Sequence, residues 1–502
     1  MPRPQPSSAS PAHHDRYSHR AILALPVGVV ILLLFWLTRL DGLSSFPFFI
    51  DEGLHVFFSE MTIKVSPVAY ASKYYLFSIW WWSVLGVPFG DPIWMSRATT
   101  VLATVVGLAA AVGLGKLAAG LWGALLVGLV YLFSTYHMFF ERLALADPIS
   151  AAAVLVAVYF SYRLTRRASL IDAFLAGLAA FIAVGAKLSA LPYLAVPFAA
   201  WLVLRRNQPG QPRATWRWLA VALFTEAILM AVYVGVLLLI GSNPFGNAGD
   251  HVGLASGLSG ILARVPDNFQ ELVRNLSVML GPLGSIVLLI AFAWLVVRRR
   301  FYFLLCLLPP LLPFLLSAMQ SSRYYAAPMS VLVVCVGVAL ADAANLHSRA
   351  LKTLVLAALS LWALTNWLPF AWAINQNPLA LPLPREERHE YLESDATGFG
   401  LRDVAAALAE LDARRVVGLL ANCQGLRYEV LNTVEVLCPT VNPNGETIPA
   451  LRQTLEDNRS EGAFAVLEAL PYLPDSAPGE VVASVDHPSG RPTLTVYRLG
   501  EP

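Results

Sequence analysis

Two adjacent carboxylates, Asp51 and Glu52, stand shortly after the first long apolar stretch of this chain. An acidic pair at the mouth of apolar segments is costly unless it is solvated, paired or used in chemistry. A carboxylate in a partly dry cavity can serve as a base toward a hydroxyl, its basicity set by burial and neighbouring charges. His55 follows Asp51 by one helical turn, so a helix there would put both on one face. That spacing fits a hydrogen-bonding neighbour or, alternatively, half of a metal pair. Asp147 precedes Pro148 at the start of an apolar run, which fits a helix cap, a ligand-binding carboxylate, or both. Arg142, Lys187 and Arg323 also border apolar segments. Such cations either snorkel to an interface or hold an anion, and Lys187, between two tight apolar segments, is costly there if unpaired.

The elements that must position these groups follow from composition. The chain has 502 residues, 57% hydrophobic and 14% charged, with a mean hydropathy of +0.60. These values exclude an ordinary soluble protein and predict an α-helical polytopic membrane protein. With a net charge of +2 and no sustained basic patch with interleaved aromatics, the expected partner is the lipid bilayer and not nucleic acid. Allowing about 20 apolar residues per span gives about eleven segments. They are 21–39, 94–115, 120–139, 148–164, 170–186, 188–204, 218–240, 276–297, 301–318, 325–343 and 353–373. The first is too long for a cleaved signal peptide and reads as a retained helix.

Alternate loops differ in charge. Lys116, Arg163, Arg166, Arg167, Arg205, Arg206 and Arg298 to Arg300 fall on one side, which the positive-inside rule places in the cytoplasm together with the N-terminus. The acids, Asp41, Asp51, Glu52, Glu60, Asp91, Glu141, Asp147, Asp250, Asp267 and Glu271, fall on the other. The orientation rule gives acids little weight, so this clustering predicts a wet, charged cavity at the outer face. Two outer loops are long, 41–93 and 242–275; the first is rich in aromatics (Trp80 to Trp82, Tyr74, Tyr75), as expected of helices lying in the interface. Glu226 lies inside the seventh span, nearer the cytoplasmic end, and reads as a structural pair with Trp218 or a neighbouring helix.

Three parts follow: residues 1–20, rich in Pro, Ser and His and expected to be disordered; a transmembrane part, 21–375; and residues 376–502, of ordinary soluble composition, on the outer side. The last part predicts a small α/β domain, with helices over 400–413 and 447–458 and strands over 415–420, 435–438, 463–468, 481–485 and 493–499. It is not expected to carry the chemistry. Cys423 and Cys438 lie close together there, and an oxidising compartment permits a disulfide between them. Cys306 and Cys335 lie inside spans and read as small buried hydrophobes.

Several stretches carry a resemblance: FPFFIDEGLHVFFSEM, GDPIWMSRATTVLATVVGL, FFERLALADPISAAAVLVAVYF, VGAKLSALPYLAVP and SSRYYAAPMSVLVV. In order and spacing they resemble the GT-C fold glycosyltransferases that use polyprenyl-phosphate sugars. Closest in pattern are family 39, with the protein O-mannosyltransferases, and the lipid A aminoarabinose transferases. The strongest element is Asp51-Glu52, then Arg142 with Asp147, then Arg323-Tyr324. The chain departs from many relatives at Lys73-Tyr74-Tyr75, where they have Lys-Pro-Pro.

The resemblance implies an inverting transfer of a hexose or pentose from a polyprenyl-phosphate carrier to a lipid, glycan or protein hydroxyl. It makes Asp51 the base and lets Glu52 orient the acceptor or hold a sugar hydroxyl. Asp147 would bind sugar or acceptor, and Arg142, Lys187 and Arg323 would be candidates for the carrier phosphate. A divalent cation is a possible further component, and no other cofactor is implied. A transporter or lipid flippase is the competing class; such proteins often show internal repeats and helices broken at mid-membrane, and no repeat is visible here. The chain ends Leu499-Gly500-Glu501-Pro502 without a retention tetrapeptide, so a prokaryotic plasma membrane is the expected location.

Overall fold

Small residues decide how the apolar helices of this chain meet. In a membrane lipid competes for every apolar side chain, so helices associate where glycine and alanine let backbones touch. Gly107 lies against Ala152, Gly177 against Ala222, and Gly337 against Val127. The computed structural model describes residues 12–68, 76–204, 212–241, 257–318, 321–346, 348–430, 433–439, 448–460, 462–468, 479–486 and 494–500. Lys73 and the start of the second outer loop, residues 242–256, lie outside them.

The first helix, α1 (Ala12–Leu40), begins inside the stretch expected to be disordered. After a short irregular passage come α2 (Ile50–Lys64) and α3 (Leu76–Leu85), which pack on each other. Next is α4 (Pro92–Leu132), interrupted at Ala119 and Gly120, where Gly120 takes a φ of 71°. Gly115 and Gly123 face each other so closely that a Cβ on either would collide with the other's carbonyl. A straight helix would hold those positions about 12 Å apart, so the chain reverses there, as the segments 94–115 and 120–139 predict. The second segment is shorter than expected. It stops at Leu132, and Ser134 caps a separate short helix, α5 (Thr135–Phe140).

The centre of the bundle is α6 (Ala146–Arg167) with α7 (Leu170–Ala186), the second half of α4, and α13 (Ala326–Ala344). From Ala326 to Ala339 every residue of α13 is buried, so this helix is apolar on all sides because it has neighbours on all sides. Around it stand α8 (Val196–Leu204), α9 (Pro212–Leu239), the short α10 (Gly257–Ala263), α11 (Val265–Val297, kinked at Gly281), α12 (Phe301–Leu316), α14 (Arg349–Trp362) and α15 (Leu368–Gln376). Among the described residues six helices are long and apolar enough to cross a membrane; several others are apolar but shorter.

The packing makes a direct prediction. A valine at Gly337 would drive its side chain into the backbone of Val127, whereas Gly235 on α9 has open space around it. Gly337→Val is expected to destabilise the folded protein by about 1–3 kcal/mol. Gly235→Val should cost much less. Melting temperatures of the two variants in detergent check this, and equal values would refute it.

A linker leads through α16 (Arg385–Arg388) and a wide turn, His389–Glu393, into the α/β domain. Its five strands are β1 (Arg415–Leu419), β2 (Glu435–Leu437), β3 (Ala463–Glu468), β4 (Glu480–Val485) and β5 (Leu494–Arg498). They run in the order β2-β1-β3-β5-β4, with β1 parallel to β2 and β3, and β5 antiparallel to β3 and β4. Alternation sorts the side chains: Val416, Phe464 and Val466 meet α17 (Leu401–Glu410) and α18 (Cys423–Glu429) on one face. Val417, Leu419, Ala465 and Leu467 lie on the other with Leu455 of α19 (Ile448–Asp457). Cys423 and Cys438 form a disulfide with a Cα separation of 5.7 Å, joining α18 to the end of β2.

Candidate active site

The helix that carries the acidic pair starts at Ile50, so Asp51 and Glu52 occupy its first turn, where the helix dipole favours negative charge. Successive positions on a helix point about 100° apart, and the two carboxylates go separate ways. Glu52 turns inward and is fully buried. Arg97 of α4 clasps it through both arms of the guanidinium, Nε to Oε1 at 2.8 Å and Nη2 to Oε2 at 2.7 Å. The backbone N–H groups of Phe49 and Ala144 donate to the same carboxylate at 3.1 and 2.7 Å. Arg97 also donates to the carbonyls of Leu43, Phe46 and Pro47. Glu52 is therefore a knot that ties the passage before α2 to the bundle, and its oxygens are occupied by protein donors.

Asp51 faces the other way, toward an open space at the end of the bundle, and its side chain keeps a third of its surface exposed. Its partner is Arg323, Nη1 to Oδ2 at 2.5 Å. Arg323 sits in the turn Ser322–Tyr325 ahead of α13. Burial would push the Asp51 carboxyl up, but the neighbouring cations, Arg323 first and then Lys187, outweigh it and hold the group below the usual carboxylate range. His55 lies one turn along the same helix, donates from Nδ1 to the carbonyl of Ala144 at 2.8 Å, and stacks on Trp82. Burial keeps its imidazole below the usual value despite Asp51 nearby, so it is neutral at pH 7.

A second ion pair completes the row. Lys187, in the break after α7, donates to Asp147 Oδ2 at 3.0 Å. The other oxygen, Oδ1, has no hydrogen-bond partner among the described residues. The ring of Tyr324 lies between the two cations, 5.0 Å from Lys187 Nζ and 5.3 Å from the Arg323 guanidinium. Asp51, His55, Asp147, Lys187, Arg323 and Tyr324 thus converge from four separate parts of the chain.

Arg142 does not join them. It is buried beneath, donating to the carbonyls of Thr38 and Gly42 and to Asn375 Oδ1 at 2.7–2.9 Å, and so ties the end of α1 to the end of α15. Arg39, Glu141 and Tyr131 form a neighbouring buried network. Among the described residues no group of three His, Cys, Asp or Glu side chains is arranged to hold a metal ion.

Two acids that the sequence reading passed over belong to the site. Glu387 and Glu390, one helical turn apart in the linker, both grip the turn that carries Arg323. Glu387 accepts the backbone N–H of Ser322, and Glu390 accepts Arg323 Nη2 at 3.2 Å and Ser321 Oγ at 3.3 Å. Burial raises both carboxyls above the usual value. Tyr391 locks the linker in place, its ring 4.4 Å from Phe49 and 5.2 Å from Phe139. In sequence REERHEYLE reads as a solvated charged linker; the one available signal was Tyr391 within it.

The α/β domain grips the same region from above. Asn422, at the carboxyl end of β1, donates from Nδ2 to the carbonyls of Phe48 at 2.5 Å and Thr397 at 3.3 Å, while Oδ1 accepts the Gly425 N–H. In open α/β sheets ligands usually bind off this edge; here the passage leading to Asp51 fills it. Asn422→Ala would leave the Phe48 carbonyl unpaired, a cost of about 1–3 kcal/mol. Faster amide exchange over residues 46–50, with the bundle unchanged, is the expected result; unchanged exchange there would refute the clamp.

A bundle of this connectivity, with α2 and α3 set apart after the first helix and a row of charges at its end, has the GT-C fold. ArnT from Cupriavidus metallidurans bound to undecaprenyl phosphate superposes with a TM-score of 0.62 at 15% identity, over 95% of this chain and 99% of that one. Its apo state gives a TM-score of 0.58 at 14% identity, over 97% and 100%. The oligosaccharyltransferase of Archaeoglobus fulgidus in complex with Zn and sulfate is more distant, with a TM-score of 0.49 at 12% identity over 88% and 68%. No family model and no curated protein matches the chain.

Proposed function

We propose that this protein is an inverting membrane glycosyltransferase that moves a sugar from a polyprenyl-phosphate carrier to an acceptor hydroxyl at the outer face of the membrane. The observation that carries this reading is the continuous row Asp147–Lys187–Tyr324–Arg323–Asp51 at the end of a GT-C bundle. Undecaprenyl phosphate in the similarly folded ArnT supports a lipid phosphate as the carrier.

In this reaction the acceptor oxygen attacks the anomeric carbon, and the bond from that carbon to the phosphate oxygen breaks. The acceptor proton passes to Asp51, and the carrier phosphate leaves with the bonding electrons. Arg323 and Lys187 stabilise the charge that develops on the phosphate. The unpaired Oδ1 of Asp147 is suited to accept from a hydroxyl of sugar or acceptor. Glu52 and Arg142 act at one remove, by fixing the passage before α2. The α/β domain holds that passage.

The test is turnover of a panel of polyprenyl-phosphate pentoses and hexoses by purified protein in nanodiscs. Release of carrier phosphate with sugar transfer from one donor supports the proposal and names the sugar. Absence of turnover with every donor, in the presence of lipid, glycan and peptide acceptors, would overturn it.

A further inference from the structure

Each cation of the site is paired with a carboxylate of the protein itself. Lys187 is paired with Asp147, and Arg323 is shared between Asp51 and Glu390. An arriving phosphate therefore finds no spare positive charge among these groups, and one carboxylate must give up its cation. Asp51 is the one that gains by doing so, because a carboxylate held by a guanidinium is a poor base.

Glu390 is built to stay behind. Tyr391 is packed against Phe49, Phe139 and Phe140, and Glu387 one turn earlier is bonded to the backbone of Ser322. The linker is thus anchored on both sides of Glu390. Asp51 holds Nη1 of the guanidinium and Glu390 holds Nη2, so one arm can exchange partners while the other remains fixed.

Resting on the glycosyltransferase reading, we infer that Glu390 is a positioning residue for the reaction: it keeps Arg323 in place when the guanidinium passes from Asp51 to the carrier phosphate. Its negative charge, close to Asp51, also keeps that carboxylate basic. The charged and titratable groups around Asp51 are Arg323 from the turn before α13, Glu390 and Tyr391 from the linker, Lys187 after α7, His55 of the same helix, and Asp147 at the start of α6. The His55 and Asp147 contributions are the same in wild type and in a Glu390 variant, so the difference between them reports Glu390 and its effect on Arg323.

The consequence is a split that a structural role would not produce. In Glu390→Gln the cavity loses a negative charge, so the donor phosphate meets less repulsion and its KM falls. Arg323 then turns wholly to Asp51, and kcat falls about tenfold, with the acid limb of its pH profile moved to lower pH. Glu390→Asp should recover part of kcat. Steady-state kinetics of wild type, both variants and Asp51→Asn against one polyprenyl-phosphate sugar, with melting temperatures alongside, make the test. Wild-type turnover that is lost in Asp51→Asn but unchanged in kcat, KM and pH profile in Glu390→Gln overturns this inference alone. A loss in Glu390→Gln that only follows a lowered melting temperature, with no change in the acid limb, overturns it too. No turnover by wild type with any donor overturns the reading beneath it.

Discussion

Asp51→Asn yields a folded protein whose transfer rate is lower by a factor of roughly 10²–10⁴, the range a positioned general base contributes. The amide has the same shape but takes no proton from the acceptor. The folded state tolerates the change because Asp51 is a third exposed and Arg323 keeps Glu390 as a counter-ion. Donor binding should be retained or strengthened, since the guanidinium is released toward the phosphate. Rate measurements with saturating donor, together with a melting curve, decide it. A kcat within about threefold of wild type would remove Asp51 from the role of base.

The neighbouring residue behaves in the opposite way. Glu52→Gln leaves the buried Arg97 guanidinium without its counter-ion, and breaking a buried pair by removing one partner costs about 3–5 kcal/mol. The expected result is poor yield and a lowered melting temperature, while the fraction that folds retains turnover. Arg97 still has three backbone carbonyls as acceptors, which softens the loss without supplying charge. Unchanged stability with lost activity would instead mean that Glu52 contacts substrate, the role its place in the motif implies.

Much of the architecture was legible because its signals are local. Apolar runs located the helices of the bundle, and the reversal at Ala119-Gly120 fell between two expected segments. The strands and two of the helices of the α/β domain lie within a residue or a few of their expected bounds, since alternation and amphipathic periodicity need no distant partner. The short helix Cys423–Glu429 carried too little periodicity to stand out. Glu387 and Glu390 were passed over because a charged run after the last apolar segment looks the same whether it meets water or folds back onto Arg323.

The sequence by itself determined that this chain is a bundle of apolar helices with acids gathered at one end, and that Asp51, Asp147, Lys187 and Arg323 are charges in costly places. Tertiary structure decided which of those charges share a cavity. Arg142 and Asp147 are near neighbours in sequence, yet one staples two helix ends and the other faces Lys187. Asp51 and Glu52 are adjacent, yet one meets open space and the other is sealed against Arg97. The reason is geometric: a turn of helix sends neighbouring side chains in different directions, and only the packing around the helix fixes which direction is the core.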